Sequence, residues 1–182
     1  MTDEPTERDL RTIRELLGRV PRGVVSIAHR CTCGRPDVVE TAPRLPDGTP
    51  FPTTYYLTDP FAAALLSTLE ASGLMREMTQ RLADDPALAA AYAAAHEDYL
   101  RRRERLGHVE EIEGVSAGGM PTRVKCLHAL AGHALAAGPG VNPLGDEALA
   151  LLAERGGWPA TCPHTALDAP ADDPDPGEGG GA

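Results

Sequence analysis

The stretch Thr53-Thr54-Tyr55-Tyr56-Leu57-Thr58-Asp59-Pro60-Phe61 is where the chain changes character. Up to Leu57 it is rich in β-branched and aromatic residues, which suit a pleated, half-buried strand. Thr58 and Asp59 are both good N-caps, and Pro60 has the fixed φ and missing N–H that suit a first helical turn. Apart from one leading helix, the residues before this point read as strands and turns, and those after it read as helix. Such segregation predicts an α+β fold: a small, mostly antiparallel N-terminal sheet packed against a helical C-terminal half.

Reading back from the changeover, residues 23–31 form a β-branched run, and Val38-Val39-Glu40-Thr41 forms a second. Gly34-Arg35-Pro36 and Pro46-Asp47-Gly48 mark the turns between strands. The leading helix starts at Thr6, with Asp9 three residues on in an acidic variant of the capping box. Leu10, Ile13 and Leu17 are its apolar face and Gly18 its stop. Reading forward, Phe61, Leu65 and Leu69 form the stripe of a helix ended by Gly73, and a short helix covers 74–83. Asp85-Pro86 opens a long one to Leu106. A fourth is expected from Met120 to Ala137, and a last from Asp146 to about Arg155, after a turn at Asn142-Pro143. On the long helix Leu88, Tyr92, His96, Tyr99 and Arg103 share a stripe, read as amphipathic core edge. The cluster Arg101-Arg102-Arg103 with Arg105 reads as a solvated face near a helix C-terminus.

Residues 1–164 are expected to form one domain. From 165 to 182 the chain is mostly Pro, Gly, Asp and Ala, with too little apolar area to order itself, so a disordered acidic tail is expected. Half of the net charge of −10 sits there, on Asp168, Asp172, Asp173, Asp175 and Glu178. An acidic chain argues against nonspecific nucleic-acid binding. Neither a cationic, apolar leader nor a run of ~18 apolar residues is visible, so a cytoplasmic, reducing setting without membrane contact is expected.

In such a setting thiols point to metal or redox chemistry rather than to structural disulfides. Cys31 and Cys33 flank Thr32, and Cys126 is followed two residues on by His128. Cys162 and His164 lie near the tail. Thiolates and imidazoles suit zinc, ahead of an iron–sulfur cluster. With the fourth helix starting at Met120, Cys126 and His133 fall on one helix line but ~10.5 Å apart along it, too far for one ion, and His128 falls on the opposite side. The expected donors are Cys31, Cys33 and Cys126. The fourth position goes to His29, His128, Cys162, His164 or water, and His128 is carried forward in the candidate set.

A second candidate is an anion site. Ser116, Gly118 and Gly119 precede the expected fourth helix, and Arg123 and Lys125 lie in its first turns. Converging backbone N–H groups, a helix N-terminus and two cations would favour phosphate or carboxylate. The Gly-Lys-Ser/Thr ending of a phosphate loop is absent.

Several phrases resemble the actinobacterial domain-of-unknown-function family numbered 501. They are Arg30-Cys31-Thr32-Cys33-Gly34, the segment Pro43-Arg44-Leu45-Pro46-Asp47-Gly48-Thr49-Pro50-Phe51-Pro52-Thr53, Tyr56-Leu57-Thr58, Gly118-Gly119-Met120-Pro121 through Lys125-Cys126-Leu127-His128, and Gly140-Val141-Asn142-Pro143. The resemblance spans about residues 8–155. It implies a housekeeping, cytoplasmic role by gene association alone, and it implies no catalytic residues. The residues themselves support two functions. One is a Cys/His metal site in an interaction or regulatory module, with a protein partner. The other is an enzyme acting on a small anionic ligand through the Gly-rich loop and Arg123.

Overall fold

The structure is a computed structural model that describes residues 3–19 and 21–159. The expected tail, Cys162 and His164 lie outside the described residues. Helix α1 (Glu7–Leu17) is followed by strands β1 (Val24–Arg30), β2 (Pro36–Thr41) and β3 (Tyr55–Leu57). Helices α2 (Pro60–Ala71), α3 (Leu74–Asp84) and α4 (Pro86–Glu104) come next. After a short 3-10 turn at Glu110–Ile112 come α5 (Leu127–Ala137) and α6 (Pro143–Gly156).

The three strands form an antiparallel sheet in the order β1-β2-β3. All six residues of β2 are buried, because the strand is central and both sheet faces are covered. Side chains alternate across a strand, and adjacent valines therefore serve different cores. Val39 packs with Ile13 of α1 and Ile27 of β1. Val38 joins the main core with Tyr55, Leu57 and the apolar residues of the helices. The capping box on α1 forms as its sequence requires: Thr6 accepts from the Asp9 N–H at 3.1 Å, and Asp9 accepts from the Thr6 N–H at 2.9 Å. Asp9 also receives Arg30 at 2.7 Å, tying α1 to β1. That guanidinium holds the Asp9 carboxyl well below the usual carboxylate range.

Where helix and sheet meet, His133 of α5 is fully buried. It stacks on Tyr55 at 5.7 Å and meets the edge of Tyr99 at 5.2 Å. Its Nε2–H donates to Asp98 at 3.0 Å, while Nδ1 accepts from the Asn142 amide at 3.2 Å. Burial pushes the His133 pKa down. Asn142 caps α6, accepting the Gly145 N–H at 3.0 Å. One polar chain thus links α4, α5 and α6 inside the core.

Four expectations change. The stripe of α2 is Ala62, Leu66 and Leu69; Phe61 is left exposed, because the helix is rotated by one residue from the expected face. The last helix opens at Pro143, behind Asn142, rather than at Asp146. Arg103 is not a solvated cation: its guanidinium donates to the Ile112 carbonyl at 2.7 Å and to that of Val115, and it is only 4% exposed. The fourth helix starts at Leu127, not Met120. The chain from Pro121 to Lys125 is irregular, and it bonds back on the glycines. Lys125 N–H donates to the Gly118 carbonyl at 2.7 Å and Arg123 N–H to that of Gly119 at 3.2 Å.

Candidate metal centre and adjoining groove

The late start of α5 decides the site. Cys126 is its N-cap, with extended φ −155° and ψ 110°, so the wheel geometry of a helical residue does not govern it. Its side chain reaches the same side as His128. Glu70, in the last turn of α2, completes a group whose donor atoms all lie within 4.8 Å of one another, each residue half-buried. Among the described residues this is the group of His, Cys, Asp and Glu donors close enough to share an ion.

Hydrogen bonds fix the orientation of each partner. Glu70 Oε1 accepts the Leu127 N–H at 2.6 Å, satisfying a donor of the first turn of α5. The same oxygen lies 3.0 Å from His128 Nδ1. His128 Nε2 is 3.1 Å from the Ala63 carbonyl oxygen, which can only accept, so this nitrogen carries a proton. Nδ1 then faces Glu70 and Cys126. In the metal-free protein the His128 pKa is pushed up to about 9; the hydrogen bond with Cys126 is the largest cause, burial opposes it, and the Glu70 carboxylate adds to it.

Of the expected donors, Cys126 and His128 are brought together and Cys31 and Cys33 lie elsewhere. Cys31 is buried in the β1–β2 turn, where its N–H donates to the Arg35 carbonyl at 2.8 Å, and Cys33 is exposed there. His29 pairs with Asp37 at 2.7 Å instead. Glu70 was missed by the sequence reading. A signal was present: it is the one charged residue of α2, placed in the last turn, where the helix dipole disfavours an anion.

The expected anion residues divide. Ser116 holds its loop, bonding His96 at 2.8 Å and the Met120 carbonyl at 3.3 Å. Gly118 and Gly119 sit at positive φ of 69° and 93°. A Cβ would lie 2.7 Å from Leu130 Cδ2 at the first and 2.7 Å from the Arg123 oxygen at the second, so glycine is needed there for close packing. With α5 starting later, the glycines do not lead into a helix N-terminus. Arg123 and Lys125 instead line a groove of about 920 Å³ between the α2–α3 corner and the 121–125 segment. Glu70, Arg76 and Thr79 line it too, with Met75, Leu82 and Val124 as apolar wall.

Fold and site define an α+β protein with a thiol–imidazole–carboxylate cluster at the end of a basic groove. The chain belongs to the family described as protein of unknown function (DUF501), whose model matches residues 27–150, a span that includes Glu70, Cys126 and His128. No curated protein and no solved structure matches the chain.

Proposed function

We propose that the protein binds one zinc ion through Glu70, Cys126 and His128, with a fourth position open to the groove. The observation that carries this reading is the orientation of the His128 ring. Zinc-bound histidines donate their other ring N–H to a carbonyl or carboxylate, and Nε2–H to the Ala63 carbonyl is that arrangement, with Nδ1 left to face Glu70 and Cys126. Soft sulfur, imidazole nitrogen and carboxylate oxygen together suit zinc better than magnesium or calcium. An iron–sulfur cluster would want more thiolates.

Structural zinc sites are closed by four protein ligands, and catalytic ones keep an exchangeable position. Three donors with the groove reaching Glu70 favour the second kind, and so favour action on a small ligand over a purely structural module. The proposed setting is the cytoplasm, where Cys126 stays reduced; no helix among the described residues is long and apolar enough to cross a membrane.

The test is titration of metal-stripped full-length protein with zinc and with cobalt(II). One ion per chain and a sulfur-to-cobalt charge-transfer band are expected, both lost in Cys126→Ser and in His128→Ala. No stoichiometric binding, or a band that survives Cys126→Ser, would sink the proposal.

A further inference from the structure

The groove is unusual for this chain. The chain has 27 acidic and 17 basic residues overall, and several arginines are committed to a carboxylate. Arg22 pairs with Asp47, Arg30 with Asp9, Arg44 with Glu111, and Arg81 with Glu147. Arg101 and Arg102 share Asp98. Arg76, Arg123 and Lys125 line one groove, and among the described residues none of the three forms an ion pair. Unscreened like charges facing one concavity repel, and an anion relieves that repulsion. Three cations match a dianion better than a monoanion. Planar guanidinium groups from two sides of the groove can each grip two oxygens of a phosphoryl group.

Glu70 is the one carboxylate among the groove-lining residues. It is also a member of the donor group. Bound to these three donors with a position open to the groove, zinc would offer a phosphate oxygen a further ligand at the groove's end. Coupling between two ligands is reciprocal. Met75, Leu82, Ala83 and Val124 give the wall an apolar part, which suits a small organic body behind the charged group.

We infer that this groove takes a small molecule bearing a phosphate group, held by Arg76, Arg123 and Lys125, and that its binding is strengthened by the metal ion. The coupling rests on the zinc reading above; the phosphate site does not.

The experiment is calorimetric titration of inorganic phosphate into full-length protein, with stoichiometric zinc and without metal, at fixed ionic strength. Acetate is titrated in parallel. Saturable one-to-one phosphate binding is expected, at least tenfold weaker in Arg123→Ala and in Arg76→Ala, and unchanged in Arg11→Ala, which removes a charge from the exposed face of α1. Acetate should bind at least tenfold more weakly, and removing zinc should weaken phosphate severalfold. If zinc binds but phosphate does not saturate, or if Arg123→Ala and Arg11→Ala behave alike, the phosphate site is overturned and the zinc reading stands. If acetate binds as tightly, the assignment to phosphate is overturned. If phosphate binding is lost in Arg123→Ala while no zinc is taken up, the groove is supported and the zinc reading and the coupling fail.

Discussion

Nδ1 of His128 lies 3.0 Å from Oε1 of Glu70, 58 residues earlier in the chain. The contact joins the last turn of α2 to the first turn of α5, and the same carboxylate oxygen caps the Leu127 N–H. Glu70 thus has a structural and a ligand role that substitution can separate. Glu70→Gln keeps an oxygen to accept from Leu127 and loses the charge. We expect zinc affinity to fall at least tenfold, while the metal-free protein loses no more than about 1 kcal/mol, the scale of one hydrogen bond. Zinc competition titration and urea unfolding check both halves. Equal zinc affinity in the variant would remove Glu70 from the ligand set.

Cys33 and Cys31 should respond differently, because one is exposed and the other buried. Cys33→Ser should keep zinc stoichiometry and melt within about two degrees of wild type, as surface changes cost within ~0.5 kcal/mol. Cys31→Ser should also keep zinc but cost about 1–3 kcal/mol, since a hydroxyl replaces a buried thiol. Loss of zinc in either variant would return the β1–β2 turn to the metal site.

Gly145 lies in α6, where alanine would ordinarily favour the helix by ~1 kcal/mol. Here a Cβ would stand 2.4 Å from the Leu130 oxygen and 2.9 Å from the Ala134 Cβ of α5. Gly145→Ala is therefore expected to destabilise by about 1–3 kcal/mol through overpacking, read from the urea midpoint. A more stable variant would mean that α5 and α6 do not approach this closely.

His133 sets a pH dependence. Burial lowers its pKa in the folded state, and Asn142 presents a donor to Nδ1. Asp98 faces Nε2, Tyr55 and Tyr99 face the ring, and Arg102 opposes protonation. The unfolded chain binds the proton more readily, so stability is lost as pH falls below the unfolded value of about 6.5. His133→Gln, which can still donate to Asp98, should flatten that loss between pH 7.5 and 5.5 in melting temperature, with a lower stability at neutral pH. An unchanged slope would assign it to other groups.

The parts of the fold legible in the sequence are those whose signals are local. The capping box at Thr6 and Asp9, the strand at residues 23–31, and the Asp59-Pro60 and Asp85-Pro86 helix starts each rest on neighbouring residues. The start of α5 was not legible. Pro121 after two glycines resembles a helix opening, but the chain folds back on Gly118 and Gly119 through Lys125 and Arg123. Arg103 misled for a related reason: it stands in a run of arginines of which Arg101 and Arg105 are exposed, and the carbonyls that bury it come from residues 112 and 115.

The sequence by itself determined the α+β class, the order of helices and strands, and the presence of Cys126 and His128 as donors close together in the chain. Only the tertiary structure decided what completes their group. Cys31 and Cys33 looked like partners by residue type, but donor convergence depends on which element ends meet. The end of α2 meets the start of α5 because their apolar faces pack in one core, and that contact brings Glu70, a residue with no local metal signature, to the site.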